Sequence, residues 1–347
     1  MYRAVTKAFG PAKDVVQIEE YTPSPPGPGQ VRVRMLLASI NPSDLVTISG
    51  AYASRTTLPH VPGFEGVGVV ESLGEGVSTN DLKLGQRVLP LGGAGAWQAM
   101  RVVEAKWCFA VPADLGDEEA AMAYINPLTA SRMVREYAPP PEGSSSQTGG
   151  AVLVNAALSA IGRMIIRLLN ARGIKPIALV RRPESKEHLS HLPELDVSAV
   201  VCSSGDGLRE RLLQSTGGRG ISVAYDAVGG SEGDEVVRAL TPDGILVHYG
   251  LLSGQPLSFR LREECPRARI VMYRLRDWVY AVEREEVQAA LDQVFQRIRE
   301  GALTSRVAAR FGLLEIHRAL EVEAGMGRDG KVLLSMLNDE ATGTDKK

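Results

Sequence analysis

From residue 151 onward, short apolar strands alternate with helical stretches: AVLVNAA, PIALVRR, SAVVCSS, VAYDAVGG and GILVHYG recur, with amphipathic segments between them. Strands that are apolar along their whole length are buried on both faces, and strands separated by helices pair in parallel. This half of the chain is therefore expected to be an α/β domain built on a doubly wound parallel sheet of the Rossmann type. Residues 1 to about 123 read differently: short strands are broken by turn clusters such as PSPPGPGQ and LGEGVSTNDLKLGQ. That pattern predicts a small, β-rich, barrel-like domain.

The 39 basic and 41 acidic residues nearly cancel, giving a formal charge of −2. No net field is available to attract nucleic acid or an anionic membrane, so neither is expected as a partner. No apolar run reaches the roughly 18 residues of a spanning helix, and the opening MYRAVTKAFG alternates like an edge strand; a cytoplasmic protein is expected. Cys108, Cys202 and Cys265 are far apart and odd in number, and the pair His188/His191 has no acidic or cysteine-rich neighbour, so no metal site is expected. The Pro/Gly/Ser-rich segment 138–150 reads as an exposed loop, EREEVQAALDQVFQRIREGAL as an amphipathic helix and NDEATGTDKK as a fraying tail.

The turn after the first strand of the α/β half, NAALSAIG, bears most directly on function. A dinucleotide pyrophosphate needs backbone N–H groups, a helix N-terminus and small residues where the chain approaches it. Asn155, Ala157, Ser159, Ala160, Ile161 and Gly162 could supply these, although the glycines of a strict G-x-G-x-x-G are mostly missing; a close strand–helix packing turn is the alternative. About 20 residues after Gly162 the next strand ends in Arg181 and Arg182, where an NAD site would place an acid for the ribose. A guanidinium there can pair with a 2′-phosphate and points to NADPH, unless the arginines only solvate a strand end.

The order of INPSDLVTISGAY (40–52), LPHVPGFEGVGVVESLGEGV (58–77), LKLGQRVLPL (82–91), GAW (95–97), INPLTA (125–130), NAALSAIGR (155–163), VRRPE (180–184), DAVGG (226–230), HYG (248–250) and GRDGKVLL (327–334) resembles the medium-chain dehydrogenase/reductase superfamily. The similarity spans nearly the whole chain and is to the zinc-independent branch of 2-enoyl thioester reductases and quinone oxidoreductases. It implies a GroES-like catalytic domain from 1–123 and 279–347, and a Rossmann dinucleotide-binding domain from 124–278. Zinc-dependent members carry a His–Glu pair and an earlier cysteine ligand; here Phe64 precedes Glu65 and no cysteine precedes Cys108.

Within that branch, NPSD followed by GAY is more similar to the enoyl thioester reductases. The resemblance implies Tyr52 as proton donor, Asn41 beside the nicotinamide with Thr129, and Asn155 to Gly162 at the pyrophosphate. It further implies Arg181 and Arg182 at the adenosine phosphate, and Val228, Tyr249, Gly250 and Lys331 near the cofactor. A phenol, whose ordinary pKa is near 10, keeps its proton at neutral pH and can deliver it to a carbanion. Trp97, Met272, Tyr273 and Trp278 are candidates for lining the substrate pocket, and Asp44 either orients its loop or touches substrate.

The expected activity is NADPH-dependent reduction of a conjugated double bond in an enoyl thioester or enone, with quinone reduction as the alternative and a non-catalytic NADPH-binding protein as a reading from another class. A homodimer is expected from the resemblance, formed near ARIVMYRL. Ala160, where the family commonly has glycine, is expected to push a pyrophosphate outward.

Overall fold

The computed structural model describes residues 1–140, 150–325 and 328–336. Most of the 138–150 segment, Gly327 and the polar tail lie outside the described residues. The chain divides into two compact units, Met1–Ile125 with Val282–Lys347, and Asn126–Ala281.

The first unit opens with an antiparallel pair, β1 (Tyr2–Thr6) and β2 (Val16–Glu20). It continues with β3 (Gln30–Ser39), β4 (Gly66–Leu73), β5 (Arg87–Pro90), β6 (Met100–Glu104) and β7 (Cys108–Ala110). Strand β3 shows the period of two that a half-buried strand requires: Val31, Val33, Met35 and Leu37 point inward, with less buried residues between them. Val31, Val33 and Met35 join Ile40, Ile48, Val88 and Trp97 in the core.

The α/β unit contributes β8 (Ala151–Val154), β9 (Ile177–Val180), β10 (Ala199–Cys202), β11 (Ile221–Asp226), β12 (Leu240–His248) and β13 (Arg269–Met272). All pair in parallel, in the order β10-β9-β8-β11-β12-β13. The sequence direction of this order reverses between β8 and β11, and ligands of such sheets bind outside the carboxyl ends of the strands at that point. Leu153, Ile177, Leu179, Ala224 and Leu246 form its core, as strands buried on both faces require.

The chain then returns to the first unit through the helix Arg284–Arg299 and the strands β14 (Val307–Gly312) and β15 (Lys331–Ser335). Strand β15 pairs antiparallel with β3, completing a seven-stranded sheet of order β14-β15-β3-β4-β5-β7 with β6 also on β3. The last strand of the chain is thus set against its longest early strand.

Candidate active-site and cofactor-binding residues

In the first unit the polar chemistry begins where β3 ends. Asn41 caps the helix Pro42–Ile48, and Asp44 reaches back to accept the Asn41 N–H at 2.8 Å while its other oxygen accepts the Phe64 N–H at 3.0 Å. One carboxylate therefore ties together both ends of the segment that carries Tyr52. Burial pushes the Asp44 pKa up to about 7, against the opposing pull of those two N–H groups and of Lys331.

Beneath it lies a closed network. The Asn41 amide donates to Ser39 Oγ and Glu65 Oε1, both at 2.9 Å, and its oxygen accepts from Lys331 Nζ at 2.7 Å. Lys331 also donates to the Ile40 carbonyl at 2.7 Å, and Glu65 Oε2 accepts the Ile125 N–H at 2.6 Å. Ser39, Asn41, Glu65 and Lys331 are all buried. Burial lowers the Lys331 pKa, opposed by the charges of Glu65, Glu323 and Asp44.

Asn41 has both amide hydrogens and its oxygen engaged inside the unit, where it braces the loop, and Lys331 places two of its ammonium hydrogens on Asn41 and Ile40. The geometry supports a positioning role for both. One expectation is corrected. Trp97 is wholly enclosed, its indole N–H donating to the Ser39 carbonyl at 3.3 Å, and it belongs to the core rather than to a pocket. A Cβ on Gly63, whose φ is +95°, would lie 2.4 Å from the Trp97 ring, so that glycine is what lets the indole fit. Asp44 orients its loop.

Tyr52 itself is half-buried at the start of the short turn Ala53–Arg55, and its carbonyl accepts the Arg55 N–H and the Thr56 hydroxyl.

In the α/β unit, β8 runs into the helix Ala160–Asn170. Ser159 caps it by accepting the Gly162 N–H at 3.1 Å, and Ala156 turns the chain with a φ of 44°, a left-handed value that is rare outside glycine. Gly162 is needed for packing: a Cβ there would stand 2.5 Å from the Ala156 carbonyl oxygen. Ala160 and Ile161 are half-exposed and their N–H groups sit in a first turn where intrahelical acceptors do not exist, whereas the Ser159 N–H bonds to the Ala156 carbonyl at 2.8 Å. Asn155 and Ala157 are corrected, because both are fully buried. The Ala157 N–H bonds to the Leu179 carbonyl, and the Asn155 amide joins Asp226, Glu232 and the Ala227 N–H. They hold the turn in place from behind. Arg181 and Arg182 are exposed at the carboxyl end of β9.

The residues that organise the ends of β11 and β12 were not singled out from sequence. Asp226 accepts the Val228 and Gly229 N–H groups and pairs with His248 Nδ1 at 2.6 Å, while Tyr249 N–H bonds to the Asp226 carbonyl. His248, the backbone N–H groups and their charges hold the Asp226 carboxyl below its ordinary range although burial opposes them. Burial raises Glu232. The signal in the sequence was an acid and an imidazole at the ends of otherwise apolar strands, positions that a packed sheet tolerates only when they are paired. Val228, Tyr249 and Gly250 lie on these turns, and a Cβ on Gly250 would meet the Ala227 oxygen at 2.7 Å.

Thr129 is buried on the helix Ile125–Tyr137. Tyr273 stacks edge-on against Tyr137 at 6.2 Å, and Trp278 lies 4.2 Å beneath the Arg132 guanidinium, forming an aromatic cluster within this unit. Met272 is 65% exposed on β13, the outermost strand of the sheet. Among the described residues no three His, Cys, Asp or Glu side chains gather as a metal site requires.

The chain is similar to known proteins in sequence and fold. Residues 27–113 match the family described as alcohol dehydrogenase GroES-like domain, and residues 160–296 match that described as zinc-binding dehydrogenase. The mouse mitochondrial enoyl-[acyl-carrier-protein] reductase is 30% identical over 329 residues, covering 94% of this chain and 86% of that protein. Among solved structures, a putative NADPH:quinone reductase from Bacillus thuringiensis is 33% identical with a TM-score of 0.85, covering 96% of this chain and 99% of that one. Escherichia coli quinone oxidoreductase, solved with NADPH, is 26% identical with a TM-score of 0.84, covering 96% of this chain and 100% of the other. The zinc in the second family's description has no counterpart in the local chemistry here: Phe64 precedes Glu65, and both Glu65 oxygens already accept hydrogen bonds from the protein.

Proposed function

From the premise that the chain belongs to the medium-chain dehydrogenase/reductase superfamily, in its branch of enoyl thioester reductases and quinone oxidoreductases, we propose that it reduces conjugated enoyl thioesters with NADPH, Tyr52 acting as proton donor. The observation that carries this reading is the setting of Tyr52, a half-buried phenol on a segment whose ends are fixed by the Asp44 carboxylate.

The donor set of the α/β unit fits NADPH. The helix N-terminus at Ala160–Ile161 offers N–H groups to the pyrophosphate, and Arg181 and Arg182, both exposed after β9, would supply guanidinium groups to the 2′-phosphate. NADPH, when bound, supplies the hydride that adds to the β-carbon. The work left to the chain is to hold the cofactor and to deliver a proton to the α-carbon as negative charge develops there, which the Tyr52 hydroxyl can do. Ala160 has ordinary helical geometry, so its methyl costs no backbone strain and acts only through its bulk.

Replacing Tyr52 by Phe tests the assignment. Turnover of crotonyl-CoA, followed as NADPH oxidation, is expected to fall about 10²-fold or more. Unchanged crotonyl-CoA turnover would remove Tyr52 from the mechanism. Quinone reduction, the activity named for several structural neighbours, needs no proton on carbon, and turnover of a simple quinone is expected to be indifferent to the same substitution.

Homodimerisation belongs to the same reading. Strand β13 pairs with β12 on one side only, and it exposes Ile270 and Met272 at the open edge of the sheet. No helix among the described residues is long and apolar enough to cross a membrane. We place the enzyme in the cytoplasm, a placement that cell fractionation would test, since several relatives are named as mitochondrial.

A further inference from the structure

Arg55 has no part in the chemistry above, yet its guanidinium carbon lies 4.1 Å from the centroid of the Tyr52 ring. The short turn Ala53–Arg55 brings the two residues together, with the Arg55 backbone N–H and the Thr56 hydroxyl both anchored on the Tyr52 carbonyl. Three other arginines that lie over aromatic rings are matched by an acid, Arg3 by Glu19, Arg132 by Glu136 and Arg318 by Glu315, whereas Arg276 over Tyr280 and Arg284 over Phe109 form no such ion pair among the described residues. Among the described residues no carboxylate pairs with Arg55, which is exposed. The acids that flank it in the sequence, Asp44 and Glu65, are buried and already bonded to other groups of the protein.

A guanidinium with one face on a ring keeps its N–H donors in its own plane, pointing away from the stack. At Arg55 that edge matches a carboxylate bidentately. We propose that Arg55 is a specificity residue that recognises a carboxylate carried by the substrate within a few bonds of its reacting double bond. The proposal rests on the reading of Tyr52 as proton donor, because that reading sets the reacting carbons beside the ring on which Arg55 lies. The phosphate of a coenzyme A or carrier-protein thioester is at the far end of a long pantetheine arm, so a cation on the donor's ring reaches a group near the double bond instead. Hydride addition to an acceptor that already carries a carboxylate concentrates negative charge there, and a fixed cation offsets it.

The test compares trans-4-oxo-2-pentenoate with its methyl ester, which has the same conjugated ketone without the charge, in wild type, Arg55→Ala and Arg55→Lys. Wild type is expected to favour the acid over the ester in kcat/KM by about tenfold or more. Arg55→Ala should lower kcat/KM for the acid by about 10²-fold while the ester falls less than threefold, and Arg55→Lys, which restores charge without the fork, should recover part of the loss. Equal losses on acid and ester would make Arg55 a mere prop for the ring and overturn the proposal, as would a wild type indifferent to the charge. A loss on crotonyl-CoA as large as that on the acid would place the cation at the distant phosphate and overturn it too. Tyr52→Phe, measured alongside, keeps the aromatic ring: undiminished ester turnover there would sink the proton-donor role, while the acid-to-ester ratio would still report on Arg55.

Discussion

Asp44 is a buried carboxylic acid whose two oxygens hold backbone N–H groups at either end of the Tyr52 segment, and its titration couples the stability of that segment to pH. Its folded pKa of about 7 stands above the 3.8 of a free aspartate, so between those values the folded chain retains a proton that the unfolded chain has released. The stability this group contributes is complete below the unfolded pKa and is lost as pH rises toward 7, with a slope of up to about 1.4 kcal/mol per pH unit. Urea unfolding of wild type and Asp44→Asn between pH 4 and 8 should show that decline in wild type and a flatter profile in the variant. Parallel profiles would show that Asp44 is ionised throughout. The sequence offered Asp44 in two roles because NPSD suits either a loop brace or a substrate contact, and only the position of the Phe64 N–H, 20 residues away, separates them. Asn41 and Lys331 were harder to read. Their partners meet across 290 residues, and no local pattern records such a pairing.

At the level of the element, the turn from β8 into the helix Ala160–Asn170 shows how a sequence poor in glycine can still build a tight strand-to-helix corner, the kind the proposed cofactor site requires. The left-handed conformation falls on Ala156, the cap on Ser159, and only Gly162 is compelled by close approach to a backbone oxygen. Gly162→Ala should push the helix from the sheet, costing about 1–3 kcal/mol of stability and weakening NADPH binding about tenfold or more in a fluorescence titration. An unaltered Kd would mean that the helix N-terminus does not hold the cofactor. The strands of this half were legible because continuous apolar runs with helices between them have few other solutions. The Asp226–His248 pair was not, since what makes it tolerable is a contact between two adjacent strand ends, 22 residues apart in the chain.

For the whole molecule, the open edge of the six-stranded sheet is the feature that bears on assembly. A strand that exposes Ile270 and Met272 and, among the described residues, has no strand paired on its outer side is a template for pairing with a second copy. Light scattering after size exclusion should give twice the 37.3 kDa chain mass for wild type and the single mass for Ile270→Lys/Met272→Lys. A monomeric wild type would refute the dimer.

The pairing of β15 with β3 also orders events during synthesis. Residues that emerge early must wait for Lys331, the Asn41 amide oxygen and the Ile40 carbonyl for its hydrogen bonds and the buried Glu65 for its opposite charge, while all six strands of the cofactor sheet have already left the ribosome. At translation rates of about 5–20 residues per second that delay is on the order of tens of seconds. A nascent chain stopped short of β15 would carry a finished dinucleotide fold beside a catalytic unit lacking the cation that braces its Tyr52 segment, so that reductase activity would arrive last, with the final strand.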